Sequence, residues 1–170
     1  MATIRDLDEC RYFGQRDERL VAVGWLGKDA PYPRGDVDRT FFAKLEELCE
    51  APWEPFHYSG WHCCEFCPPP PAPPRPTSAL KRFFSPFRAP PLVSFEAFSC
   101  NLFVPYKNRV FASPEGIVHY ISTHGYRPPD IYFEAVLACP PMSSIEYFAA
   151  LRENGGPLIL SALPHDHGAA

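Results

Sequence analysis

Hydrophobic positions along the chain switch between two periodicities, and the switches outline its elements. Leu20-Val21-Ala22-Val23-Gly24-Trp25-Leu26 is a short, unbroken apolar run rich in β-branched residues. It predicts a buried strand, closed by Gly27-Lys28-Asp29, with a turn-rich loop at Pro31-Tyr32-Pro33-Arg34-Gly35. The spacing then becomes helical. Phe41, Phe42, Leu45, Leu48 and Cys49 fall on one face, and Arg39, Lys44, Glu46 and Glu47 take the other. Asp38 is placed to cap this helix, Val37 and Phe42 to staple it, and Pro52 and Pro55 to stop it. Phe56 to Trp61 predicts a second strand. Leu92–Phe98, Cys100–Val104 and Arg109–Ala112 predict three more, the last two joined as a hairpin across Pro105-Tyr106-Lys107-Asn108. The final third is helical. One helix is expected to start with Ser113 as cap and Pro114 at its first position and to end at Gly125. A second runs from near Pro129 to Pro140-Pro141. A third opens at Ser143, with Ser143 and Glu146 as a capping box and Met142 against Tyr147, and closes at Asn154-Gly155-Gly156.

Strands early and helices late predict an α+β fold, a small antiparallel sheet packed against three to four helices. No glycine-rich phosphate loop interrupts it. The chain of 170 residues suits a single α+β domain over residues 1–156. Within it, residues 68–91 read as a Pro-rich insert, since seven of the 22 prolines fall between Pro68 and Pro76. That composition favours a disordered or polyproline II stretch, a linker first and a ligand for an aromatic groove second. Residues 157–170 read as a flexible tail.

Composition narrows the functional classes. Aromatic residues make up 15% of the chain, enough for a real core. The net charge of −4 carries no basic field, so nucleic acid is not an expected partner. No run of about 18 apolar residues predicts a membrane span. The N-terminus has no apolar signal region, which together with seven cysteines, an odd number, points to a reducing cytoplasm. There C-x-x-C is metal or redox chemistry more often than a disulfide.

The candidate chemistry lies in His62-Cys63-Cys64-Glu65-Phe66-Cys67. Thiolate sulfur and imidazole nitrogen are the donors zinc prefers, and C-x-x-C supplies two thiolates across one tight turn. His62, Cys64 and Cys67 are therefore candidate metal ligands, with zinc as the cofactor. A structural site needs a fourth donor, from His124, His119, Cys139, Cys100 or Cys63. Ile117, Val118, Tyr120 and Ile121 set the apolar face of the predicted helix. His124 falls on its rim and His119 nearly opposite, so His124 is the first choice and His119 reads as a surface residue. Glu65 reads as a solvated charge. It does not fit a zinc deaminase, whose H-x-E precedes a distant P-C-x-x-C. No G-x-S-x-G or helix-initial redox C-x-x-C is present, and no catalytic residue is assigned. His165-Asp166-His167 is at most an adventitious metal site.

Several phrases together carry a resemblance. They are Leu20 to Leu26, Gly60 to Cys67, Asn101-Leu102-Phe103-Val104-Pro105, His119-Tyr120-Ile121 with His124-Gly125-Tyr126, and Ala138-Cys139-Pro140-Pro141-Met142. Over most of residues 12–154, the chain resembles an uncharacterised family of small bacterial proteins, a domain of unknown function. That resemblance implies a knuckle of the form W-H-x-C-E-x-C, in which Cys63 is dispensable, and one compact domain. It implies no activity. The expected function is a small binding or accessory domain stabilised by a zinc knuckle, with an unidentified protein partner. A metal-dependent hydrolase and a metal-free immunity or accessory module are the alternatives.

Overall fold

The computed structural model describes residues 3–56, 62–68, 97–98 and 100–164, and the side chains of residues 62, 63, 97 and 98 lie outside that description. In chain order the elements are β1 (Leu20–Ala22), α1 (Arg39–Glu50), β2 (His62–Cys63), β3 (Ala97–Phe98), β4 (Asn101–Tyr106) and β5 (Arg109–Pro114). The helices α2 (Ile117–His124), α3 (Asp130–Ala138), α4 (Ile145–Asn154) and α5 (Pro157–Ala162) follow. The fold is α+β, as the order of hydrophobic patterns predicts.

The main sheet runs β1-β5-β4. β4 and β5 form the predicted hairpin, antiparallel with Phe103 opposite Ala112. Lys107 and Asn108 close it with positive φ angles of 46° and 60°, the pattern of a two-residue turn whose twist matches the strands. The sheet departs from the expected antiparallel form at its other edge. β1 pairs parallel with β5, Leu20 against Val110 and Ala22 against Ala112, which makes the sheet mixed. β5 is the middle strand, and its residues Val110 to Pro114 are all buried. Trp25 locks the end of β1 to it, its indole N–H donating to the Ala112 carbonyl at 2.8 Å. A separate two-residue ladder pairs β2 with β3, His62 opposite Phe98. The predicted strand at Phe56–Trp61 and most of the one at Leu92–Phe98 lie outside the described residues.

α1 forms as its pattern predicts. The Asp38 carboxylate accepts from the Thr40 and Phe41 amides at 2.8 and 3.3 Å, and Phe41, Leu45 and Leu48 are buried. Phe41 stacks on Phe133 of α3, centroids 4.0 Å apart. Two other helix starts differ from the sequence reading. Ser113 does not cap α2, because β5 continues through Pro114 and Gly116 precedes the helix. The Ser113 hydroxyl is spent in the core, 2.6 Å from the Tyr132 hydroxyl. α4 starts one residue later than expected, capped by Ser144, whose Oγ accepts from the Tyr147 amide at 3.1 Å.

The largest correction is at the C-terminus, where Pro157 does not begin a loose tail. α5 covers residues 157–162, and Leu158 and Ile159 are buried. Its first turn is capped from far along the chain. The buried Asp17 carboxylate accepts from the Leu158 amide at 3.0 Å and from Arg19 N–H at 3.0 Å. A Cβ at Gly156 would overlap that carboxylate, so glycine is required there. Residues 165–170 lie outside the described residues.

Candidate metal centre

Four side chains from two segments converge. Cys64 and Cys67 come from the knuckle after β2, His119 and His124 from α2, and their donor atoms all lie within 4.8 Å of one another. Cys64 Sγ is 3.2 Å from His124 Nε2. Cys67 Sγ is 3.3 Å from His119 Nε2 and 3.5 Å from His124 Nε2. The two Nε2 atoms are 3.2 Å apart. A tetrahedral zinc site with Zn–S of about 2.3 Å and Zn–N of about 2.05 Å has S···N edges of roughly 3.6 Å and an N···N edge of roughly 3.3 Å. Three S···N edges and the N···N edge are within a few tenths of an ångström of those lengths. The set of two thiols and two imidazoles is also one that zinc takes. Residues and spacing fit one tetrahedral cation.

The helix explains how two histidines five residues apart can meet. At about 100° per residue they project about 140° apart, straddling the flank occupied by Tyr120 and Thr123. The knuckle packs on that flank rather than under the apolar face. Phe66 anchors it there, 5.9 Å from the Tyr120 ring, 5.2 Å from His124 and 5.3 Å from Tyr32. The imidazoles reach round from either side. α2 ends at Gly125, whose φ of 64° suits glycine and lets the chain leave immediately after His124. The aligned carbonyls of this last turn make a negative helix end, which favours a cation beside it.

The protonation states suit ligation. Burial pulls the His124 imidazole below its ordinary pKa, with the positive charges of His119 and Arg34 adding to the effect. The neutral ring, the form that binds metal, is thereby favoured. Thr123 Oγ1 lies 3.3 Å from His119 Nδ1. A proton on Nδ1, donated to that hydroxyl, leaves the Nε2 lone pair facing the cluster.

Of the residues singled out from the sequence, Cys64, Cys67 and His124 come together here. His62 belongs to β2, and its side chain, like that of Cys63, lies outside the described residues. His119 is the correction. Its sequence reading as a surface residue assumed a knuckle beneath the apolar face, and a knuckle on the flank brings it in. Helical phase alone carried no signal for that; the signal available was the presence of two histidines near one helix end. Cys139 and Cys100 are engaged elsewhere, their thiols donating to the Pro140 carbonyl at 3.4 Å and to Glu54 Oε1 at 2.9 Å. Glu65 is exposed, and its Oε2 accepts from the Lys28 amide at 3.4 Å. His165 and His167 lie outside the described residues.

A family model described as Domain of unknown function (DUF7919) matches residues 2–137. The chain belongs to this family. The DUF7919 match contains the knuckle and both histidines of α2, and it ends within α3. No curated protein and no solved structure matches the chain significantly. No helix among the described residues is long and apolar enough to cross a membrane.

Proposed function

We propose that Cys64, Cys67, His119 and His124 hold one zinc ion in a structural role. The protein would then be a cytoplasmic, bacterial binding or accessory domain rather than an enzyme, acting on a protein or small-molecule partner. The observation that carries this reading is the four-donor cluster, in which four of the six donor separations lie between 3.2 and 3.5 Å and all lie within 4.8 Å. Four protein donors close a tetrahedral shell and leave no position for water or substrate, whereas catalytic zinc keeps one open. Glu65 is turned to the Lys28 amide and solvent, which disfavours it as a proton carrier at the metal. The hydrolase reading is correspondingly weaker. The W-H-x-C-E-x-C pattern supplies Cys64 and Cys67 of the four donors, and α2 supplies the other two.

Elemental analysis of purified protein tests this. One zinc per chain is expected in the wild type and in His62→Ala. Cys64→Ser/Cys67→Ser and His119→Ala are expected to fall to well below half that content. Wild-type protein without stoichiometric metal would remove the reading. Retention in His119→Ala with loss in His62→Ala would replace the donor set.

A further inference from the structure

Tyr32, which Phe66 of the knuckle contacts, also lines an open cleft of about 860 Å3. Trp25, Leu26, Tyr32 and Pro128 give it apolar walls, with Arg5 and Arg127 among its polar residues. A cleft of this size with apolar walls and few polar groups is the usual form of a small-molecule site. The charged groups can be sorted by what they already bind. Asp6 accepts from the Gly24 amide at 2.9 Å and the Tyr126 hydroxyl at 2.8 Å. Arg127 pairs with Asp130 at 2.5 Å and donates to the Asp36 carbonyl at 3.2 Å. The guanidinium of Arg5 has no hydrogen-bond or ion-pair partner among the described residues. Asp6 and Asp130 match the two cations of the lining in number, and Arg5 is the one charged side chain there whose donors are all open, able to take a planar anion in a forked geometry.

We propose that the cleft binds an amphiphilic anion, a flat or elongated apolar body carrying one carboxylate, sulfonate or phosphate that pairs with Arg5. The metal centre enters through Tyr32. That ring is fixed from behind by Phe66 at 5.3 Å, by its hydroxyl donating to the His124 carbonyl at 3.4 Å, and by Arg34 lying 4.9 Å over its face. The zinc knuckle thus holds one wall of the cleft. Only this seating of Tyr32 rests on the metal reading; the ligand class does not.

The test titrates full-length protein with 2-naphthalenesulfonate at neutral pH, following intrinsic tryptophan fluorescence and calorimetry. The neutral 2-naphthalenesulfonamide and the cationic 2-naphthylmethylammonium serve as controls. Saturable binding of the sulfonate is expected, weakened about tenfold or more by Arg5→Glu, the scale of one charge-assisted contact in a partly wet site. The amide is expected to bind weaker by a similar factor, the ammonium not at all, and Ala30→Trp, which fills the cleft, to abolish binding. Both variants should melt as the wild type does. No saturable sulfonate binding overturns the proposal, as does binding indifferent to Arg5→Glu or to Ala30→Trp. Zinc content is read on the same sample. Arg5-dependent binding without zinc would remove the metal reading and leave the cleft; full zinc without binding would do the reverse.

Discussion

Asp6 shows how one side chain is tied to the strand order around it. Its carboxylate bridges Gly24, just after β1, and Tyr126, just after α2. Burial raises its pKa above the ordinary 3.8, and the two hydrogen bonds offset part of that rise. A folded-state carboxyl with a raised pKa holds its proton to higher pH than the unfolded chain does. Folded protein then binds more protons across that interval, so Asp6 costs stability as pH rises through it, the reverse of a salt-bridged aspartate. Asp6→Asn keeps an acceptor for the Gly24 amide and removes the charge. Urea melts between about pH 3.5 and 7 should show the variant gaining on the wild type as pH rises. A difference flat with pH would mean that this carboxyl titrates as it does in the unfolded chain. Residue identity alone could not reveal this, since the two groups that Asp6 bridges lie 18 and 120 positions away. The metal donors show the same limit. Cys64, Cys67 and His124 are legible because residue type and local spacing define their chemistry. His119 is not, because its membership depends on which flank of α2 the knuckle occupies, and Phe66 decides that by packing against Tyr120 and His124.

At the level of elements, what could be read were the signals written within one segment. α1 carries its own cap in Asp38, the β4–β5 hairpin its own turn in Lys107-Asn108, and α2 its own stop in Gly125. Those that escaped depend on partners distant in sequence. Ser113 resembles a cap until Tyr132 claims its hydroxyl, and the parallel β1–β5 pair requires a crossover that no local pattern records. α5 is the clearest case. At six residues it is too short to persist alone, and its first turn depends on a carboxylate 141 positions earlier. Asp17→Ala should therefore act on two scales. It removes a cap and leaves the Leu158 amide buried without an acceptor, a loss of about 2 kcal/mol in global stability. Amide exchange of residues 158–162 should also accelerate out of proportion to the rest of the chain. Unchanged exchange there would show that burial of Leu158 and Ile159 alone holds the helix.

For the whole molecule, the question is how far the metal centre supports the fold. Classical zinc fingers are unfolded without their ion because they have little other core. This domain differs in that respect. The β1-β5-β4 sheet is covered by α3 and α4, and α1 packs on α3 through Phe41 and Phe133. None of those contacts includes the knuckle. The cluster instead ties residues 64–67 to residues 119–124, so the ion would close a long chain loop around an already formed core. Chelation should then produce a local loss. Far-UV circular dichroism of metal-free protein should stay near that of the loaded form. Exchange protection should vanish at residues 64–68 and in the last turn of α2, and the melting temperature should fall by several degrees, the response to about 2–3 kcal/mol of lost binding energy. Because Tyr32 leans on Phe66 and on the His124 carbonyl, exchange should also rise in the loop at residues 31–35. Hydrogen exchange read by mass spectrometry, with and without chelator, separates the two architectures. Protection lost throughout the sheet on chelation would mean that the metal organises the core itself. Protection lost only along the knuckle, the end of α2 and the Tyr32 loop would define the clip as a brace for the cleft wall.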